Sequence, residues 1–294
     1  PFRRLESFYE WVDLCEESAI DSIWFSERLV STAPTLEPMI AMAMLAGRTT
    51  RLKFGMNAVV LPFRDPLVLA KECATLDFMS DGRLLPVFGV GAELAPEFKA
   101  TGRSLTGRGP HSDEMLDIMV RLWSEEHVSH HGKHYQYEDV TIAPRPKQQP
   151  LPLWIGGSSE AAIRRTARVG TGWLAGLQSP QQVEPVVKAI RIASAEAGRP
   201  LDPDHYGAGF SFRFGAWDEP VVERSAAAFS RFPGLSDPRS YLAVGGASEI
   251  ADRAREYVEA GISKFVVRPL TESDEEIIAQ TRRLIDEVVP AVHG

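Results

Sequence analysis

The feature that most limits the fold of this 294-residue chain is the regular exchange of two hydrophobic periods. Short apolar runs that read as strands ("DSIWFSER", "RLKFGMNAVV", "RLLPVFGVG", "LPLWIGG", "GWLAG", "YGAGFSFRFG", "SKFVVRPL") alternate with helically spaced stretches such as "SDEMLDIMVRLW" and "QQVEPVVKAIRIASAEAG". Repeated strand–helix units joined by short turns force parallel strands and right-handed crossovers. Seven such units follow a leading helix from Leu5 to Ile20, so the count implies an eighth strand before Pro1. An open doubly wound sheet needs no upstream strand. A closed barrel does, and it is the economical reading. The expected fold class is α/β, a (β/α)8 TIM barrel forming one domain over residues 1–294, with its first strand absent from the chain.

The signals for individual elements are local. Asp65-Pro66 opens a helix with a cap and a first-turn proline, its face carrying Leu67, Ala70, Ala74 and Phe78. Met115, Ile118, Met119 and Leu122 form one stripe of the helix after the fourth strand. The stretch "HVSHHGKHYQYEDVTIAPRPKQQPLP" breaks the rhythm there and predicts an excursion over about 128–150, a hairpin with a proline-rich return. His127, His130, His131 and His134 have metal-like spacing, but Gly132 and the β-branched and aromatic neighbours argue for a solvated loop and no metal.

The net charge of −8 and pI near 5.5 leave no nucleic-acid footprint. No apolar run reaches the roughly 18 residues of a membrane span, and no signal-peptide pattern opens the chain. Cys15 and Cys73 fall in helical patterns, as packed, reduced thiols of a cytoplasmic protein would.

In an α/β barrel the chemistry gathers where strands end and helices begin. That rim would carry Ser26, Glu27 and Arg28, Asn57 and Ala58, Val90 and Gly91 with Glu93, Gly156, Gly157 and Ser158, Gly172 and Trp173, and Arg268. Two glycine corners one helix apart, "GGSS" and "GTGW", bracket the helix Glu160 to Val169. Either they are turns with a serine cap, or their amides and the helix dipole hold a phosphate. Glu27 with Glu93 could also be the carboxylate pair of a glycosidase.

The runs "NAVVLPFRDPLVLAKECATLDFMSDGRLLPVFGVG", "EFKATG", "LWSEE", "HGKHYQYEDVTIAPRPKQQPLPLWIGG", "AAIRRTARVGTGW" and "YVEAGISKFVVRPL" occur in one order over nearly the whole chain. Together they resemble the luciferase-like monooxygenase superfamily, most closely its branch dependent on the deazaflavin coenzyme F420. The resemblance implies a phosphate site at Gly156, Gly157, Ser158, Gly172 and Trp173. It implies a bulge with a non-proline cis peptide at Asn57–Ala58, beside Val59, backing the cofactor ring. Ser26, Val90, Gly91 and Glu93 join them as cofactor-binding candidates, with Glu27 and Arg28 as candidate catalytic groups. The chain departs from the family pattern in three places. Arg28 stands where relatives often carry His, and a guanidinium cannot relay a proton. Thr171 stands where they usually carry Asp, and the segment from Val30 to Leu36 is short.

The expected activity is hydride transfer between coenzyme F420 and a small organic substrate in a cytoplasmic homodimer. A reduced-FMN monooxygenase is the alternative enzyme, and a non-catalytic flavin-binding relative the alternative of another class. Specificity would lie in "RLVSTAPTLEP", "GAELAPEFKATGRSLTGRGPH" and "RFPGLSDPRSYL".

Overall fold

A computed structural model describes residues 2–230, 235 and 237–292. Pro1 and much of the loop expected over 231–242 lie outside the described residues. The chain forms two compact units, one of residues 1–21 with 173–294 and one of residues 22–172. Helix α1 (Leu5–Glu16) belongs to the former.

The unit of residues 22–172 runs β1 (Ser22–Phe25), α2 (Pro38–Arg48), β2 (Lys53–Met56), β3 (Val59–Val60), α3 (Pro66–Met79), β4 (Leu84–Leu85), β5 (Val87–Gly89), α4 (Pro96–Ala100), α5 (Arg108–Ser124), β6 (Val128–His131), β7 (Gln136–Val140), β8 (Trp154–Gly156) and α6 (Glu160–Val169). Two expected strands are each split. The first breaks at Asn57–Ala58, a non-proline cis peptide as the resemblance implied, and the second breaks at Pro86. Proline has no N–H to give a ladder. Pairing is parallel throughout the core: β1 with β2, β2 with β4, β3 with β5, and β5 with β8. Only β6 and β7 run antiparallel here, as the expected hairpin, with a bulge between Val128 and His130.

Local chemistry explains the helix starts. The Asp65 carboxylate accepts from the N–H groups of Leu67 and Val68 at 2.9 and 3.2 Å, capping α3. Ser159 caps α6 by accepting from Ala162 N–H at 3.2 Å. Met115, Ile118 and Met119 are fully buried and Leu122 nearly so, as the stripe predicts. The face predicted for α3 needs correction: Phe78 is 58% exposed, and the buried residues are Pro66, Leu69, Ala70, Cys73, Ala74, Leu76 and Asp77. Asp77 takes the inner position because the proline-rich return needs it. Its carboxylate accepts from Gln148 N at 2.8 Å and Gln148 Nε2 at 2.6 Å.

The other unit continues from β9 (Gly172–Leu174) through α7 (Pro180–Glu196), β10 (Tyr206–Phe214), α8 (Pro220–Phe229), β11 (Leu242–Gly245), α9 (Ala247–Glu259), β12 (Lys264–Pro269) and α10 (Asp274–Arg283). The nine-residue β10 is its central strand, parallel to β9, β11 and β12. Strand β11 was not among the seven expected. Its Leu242 and Val244 are buried in a cluster with Tyr241, Val221 and Val222. Asp274 fastens the start of the chain by accepting from Arg3 N–H at 2.9 Å and Arg4 N–H at 2.9 Å. Cys15 and Cys73 are buried free thiols. Among the described residues no helix is long and apolar enough to cross a membrane.

Candidate functional site

Strand register within residues 22–172 decides which candidates meet. Phe25 pairs with Met56, which places Ser26 beside Asn57. Val60 pairs with Gly89, and Phe88 with Ile155, which places Gly89 beside Gly156. The carboxyl ends of four neighbouring strand positions therefore carry Ser26, Asn57–Val59, Gly89–Gly91 and Gly156–Ser158, as the rim reading requires.

The rim is close-packed at the second and third of these strand ends. Gly91 has φ +78°, and a Cβ on it would meet Phe98 at 2.7 Å and Val60 at 3.0 Å. Phe98 in turn meets Phe63 edge-on, with centroids 4.8 Å apart. A Cβ on Gly89 would stand 3.7 Å from that of Ala58. Val90 is half-buried, while Glu93 is exposed and Glu27 is buried.

Glu27 has a role that the rim reading missed. Its side chain is 1% exposed, with Oε1 2.6 Å from Arg64 Nη2. Its Oε2 accepts from Val60 N–H at 2.7 Å, and Asn57 N–H donates to Phe25 O at 2.7 Å. The carboxylate thus holds the backbone that follows the Asn57–Ala58 bulge. Arg64 Nη2 also reaches Glu37 Oε1 at 2.6 Å, and Glu37 Oε2 accepts from Ile40 N–H in the first turn of α2. Burial pushes the Glu27 carboxyl above its ordinary range despite Arg64 and the Val60 N–H, and Glu37 and Glu97 push the same way. Arg28, the next residue, is exposed and has no hydrogen bond or ion pair among the described residues.

Arg64 and Glu97 belong to this site and escaped sequence reasoning. Glu97 on α4 is 2% exposed, and neither carboxylate oxygen has a hydrogen-bond partner among the described residues. Nothing in "PFRDP" or "APEF" marks these as partners of Glu27, because the contacts cross 37 and more positions of sequence.

At the first glycine corner Gly157 has φ +103°, a conformation open to glycine at little cost. The helix cap here is Ser159, so Ser158 is not the cap residue. At the second corner Thr171 ties itself to Leu153: its N–H donates to Leu153 O at 2.7 Å and its Oγ1 accepts from Leu153 N–H at 2.8 Å. Gly172 is buried because any Cβ would enter the Trp154 indole. Trp173 and Arg268 belong to the other unit. Trp173 is fully buried, its N–H donating to His205 O, while Arg268 is exposed on β12 opposite Ser211.

Three of the four hairpin histidines meet acids. His127 pairs with Asp139, His130 with Glu114 and His131 with Glu138. Among the described residues no group of His, Cys, Asp or Glu has metal-binding geometry.

Comparison with known proteins bears on what this rim can hold. The model of the luciferase-like monooxygenase family matches residues 3–242. The oxygenase component of the flavin-dependent trigonelline monooxygenase of Acinetobacter baylyi is 26% identical over 96% of this chain and 89% of its own length. The F420-dependent glucose-6-phosphate dehydrogenase of Microbacterium testaceum is 28% identical over 94% of this chain and 90% of its own. An uncharacterised protein of Mycobacterium bovis is 31% identical over 56% of this chain, and that match spans only 57% of the relative. The structure of an F420-dependent secondary alcohol dehydrogenase in complex with an F420-acetone adduct superposes with a TM-score of 0.82, at 18% identity, covering 96% of this chain and 93% of that one. The fold class is accordingly the α/β barrel expected from the sequence.

Proposed function

Because the chain belongs to the luciferase-like monooxygenase family, we propose that it is an oxidoreductase that holds a flavin-type cofactor over its strand ends, coenzyme F420 in preference to FMN, and acts on a small organic substrate. The observation that carries this reading is the register that sets Ser26, Asn57–Val59, Gly89–Gly91 and Gly156–Ser158 side by side. A flat ring system needs close approach to main chain, and Gly89 and Gly157 offer bare backbone there, a Cβ on either meeting only an alanine methyl, at 3.7 and 3.6 Å.

In this reading the amides and hydroxyl of Gly156, Gly157 and Ser158, at the positive end of α6, would bind the cofactor's phosphate. Val59 and the Asn57–Ala58 bulge would back the ring, with Ser26, Val90 and Gly91 at its edges. Bound F420 supplies a carbon that gives or accepts a hydride, and the protein contributes placement and electrostatics. Glu27 acts through the backbone, since its Oε2 is engaged by Val60 N–H; it is a positioning residue. Arg28 is the exposed charge beside it and is suited to binding an anionic part of the substrate. It stays protonated and therefore moves no proton.

Equilibrium titration of the purified protein with F420 and with FMN, read by fluorescence, tests this. Saturable binding of F420 at micromolar concentration, with FMN at least tenfold weaker, is the expected result. Stoichiometric FMN with no affinity for F420 would instead establish the monooxygenase reading that the trigonelline enzyme suggests. Retention of either cofactor with no turnover of carbonyls, alcohols or imines would support a non-catalytic binder. The same reading carries a cytoplasmic homodimer, checked by light scattering.

A further inference from the structure

A groove of about 520 Å³ lies over the start of α5. Arg103, Arg108, His111, Lys133 and His134 line it, and no carboxylate does. That is unusual on a chain of net charge −8. Glu114, which acts on His111, is already engaged: it accepts from the N–H groups of His134 and Tyr135 and meets His130 Nε2 at 3.2 Å. The His111 and His134 rings lie 4.5 Å apart, and His111 Nε2 meets Tyr135 Oη at 2.9 Å. Burial holds His111 below its usual range, with His134 and Arg103 pushing the same way against Glu114. Arg108 donates through Nη1 to Leu105 O, while its Nε is buried without a partner among the described residues. The 17-residue α5 adds its own field. Its first turn has no acidic residue and its N-cap, Gly107, supplies no side-chain acceptor.

The place of the groove follows from helix register. Arg165 of α6 pairs with Asp113 of α5, and Arg168 with Asp117. The two helices therefore run side by side with their starts level, Arg108 near Glu160. The groove, at the start of α5, therefore lies at the same end of the helix pair as the α6 corner at Gly156–Ser158.

We propose that this groove is a subsite for a short chain of carboxylates or phosphates. It takes either the anionic extension of a cofactor whose phosphate lies at the α6 corner, or a free polyanionic metabolite. The first source rests on the proposed cofactor reading; the second does not. FMN ends at its phosphate, whereas F420 continues into an oligoglutamate chain, so an occupied groove would also explain a preference for F420. Attraction here comes from several screened charges acting together, so it weakens steeply with salt.

Two measurements test it. In the first, the C2 proton resonances of His111 and His134 are followed by NMR as γ-linked triglutamate or inorganic pyrophosphate is added to the intact protein. Saturable shifts of both are expected, with His205 unmoved. Affinity should fall at least tenfold when NaCl is raised to about 0.3 M and in the exposed-site variant Arg103→Glu/Lys133→Glu. No shift with either probe at about 10 mM, an affinity weaker than any useful subsite, would overturn the proposal. In the second, F420 carrying a long glutamate chain is compared with F420 carrying a single glutamate. Tighter binding of the long form, lost in the variant, assigns the groove to the cofactor. If neither form binds while triglutamate or pyrophosphate still shifts the histidines, the cofactor reading fails and the groove stands as a site for a free polyanion.

Discussion

Replacing Arg64 by Met should reveal how the bulge beside the candidate site is held. Arg64 is 15% exposed and Glu27 1%, so the pair is withdrawn from water, while Glu37, at 35%, is not. Removing one partner of a buried ion pair typically costs about 3–5 kcal/mol, because the other charge stays buried alone. The Glu37 arm adds only about 0–1 kcal/mol. We therefore expect Arg64→Met to lose about 3–5 kcal/mol at pH 8 in urea denaturation followed by circular dichroism. The loss must also depend on pH. Glu27 already titrates above its ordinary range because burial outweighs Arg64, and without Arg64 it titrates higher still. A carboxyl whose folded pKa is raised contributes its stability in full below the unfolded value, near 4.5. That contribution is lost as pH rises through the folded value, at about 1.36 kcal/mol per unit. The deficit of Arg64→Met should thus be smallest near pH 5 and grow toward pH 8. Adding Glu27→Gln should restore most of the loss at pH 8, because the amide still accepts from Val60 N–H and carries no charge. A deficit under about 1 kcal/mol, one equal at both pH values, or one that Glu27→Gln fails to relieve, would refute the reasoning.

Three further perturbations probe the frame around the site. Gly91→Ala places a methyl 2.7 Å from Phe98 at φ +78°, which should cost about 1–3 kcal/mol and weaken cofactor affinity together with stability; unchanged affinity would remove Gly91 from the site. Gly132→Ala drives a methyl into Glu114 and His130. Since Glu114 cannot move without releasing His134 and Tyr135, hydrogen exchange at those two amides should accelerate at least tenfold, and unchanged protection would count against the hairpin anchor. Asp274→Asn removes a carboxylate that burial pushes up but the Arg3 and Arg4 N–H groups bring below its ordinary range. The stability it supplies is present above about pH 4 and lost as pH falls through the folded value. The variant should accordingly be weaker by about 1–3 kcal/mol at pH 7 and converge on the wild type near pH 2 in acid unfolding.

Elements whose causes are local were legible in the sequence. Helix α6 runs from Glu160 to Val169 as its apolar spacing and flanking glycines indicate, and α3 starts after Asp65. The features that escaped have causes elsewhere in the chain. Phe78 fits the apolar spacing of α3 yet lies outside, because Asp77 turns inward to meet Gln148, 71 residues away. Strand β11 is only four residues long and gains its place from pairing with β10. No periodicity in so short a run distinguishes it from loop.

The same division explains the site. Glycines announce themselves, since a corner needing φ near +80° or +100° has few other occupants, and Gly91 and Gly157 sit where the rim reading put them. Charged residues do not, because their meaning depends on what they meet. Glu27 and Arg28 are adjacent in sequence and were both candidate catalytic groups. Beyond the end of β1 their side chains meet opposite fates: one is sealed against Arg64 and the Val60 amide, the other is in water. Holding the bulge falls to the Glu27–Arg64 pair, and Arg28 takes no part in it. A residue freed from structural duty is free to vary with the substrate. The departure at position 28 thus leaves an exposed cation beside the candidate site.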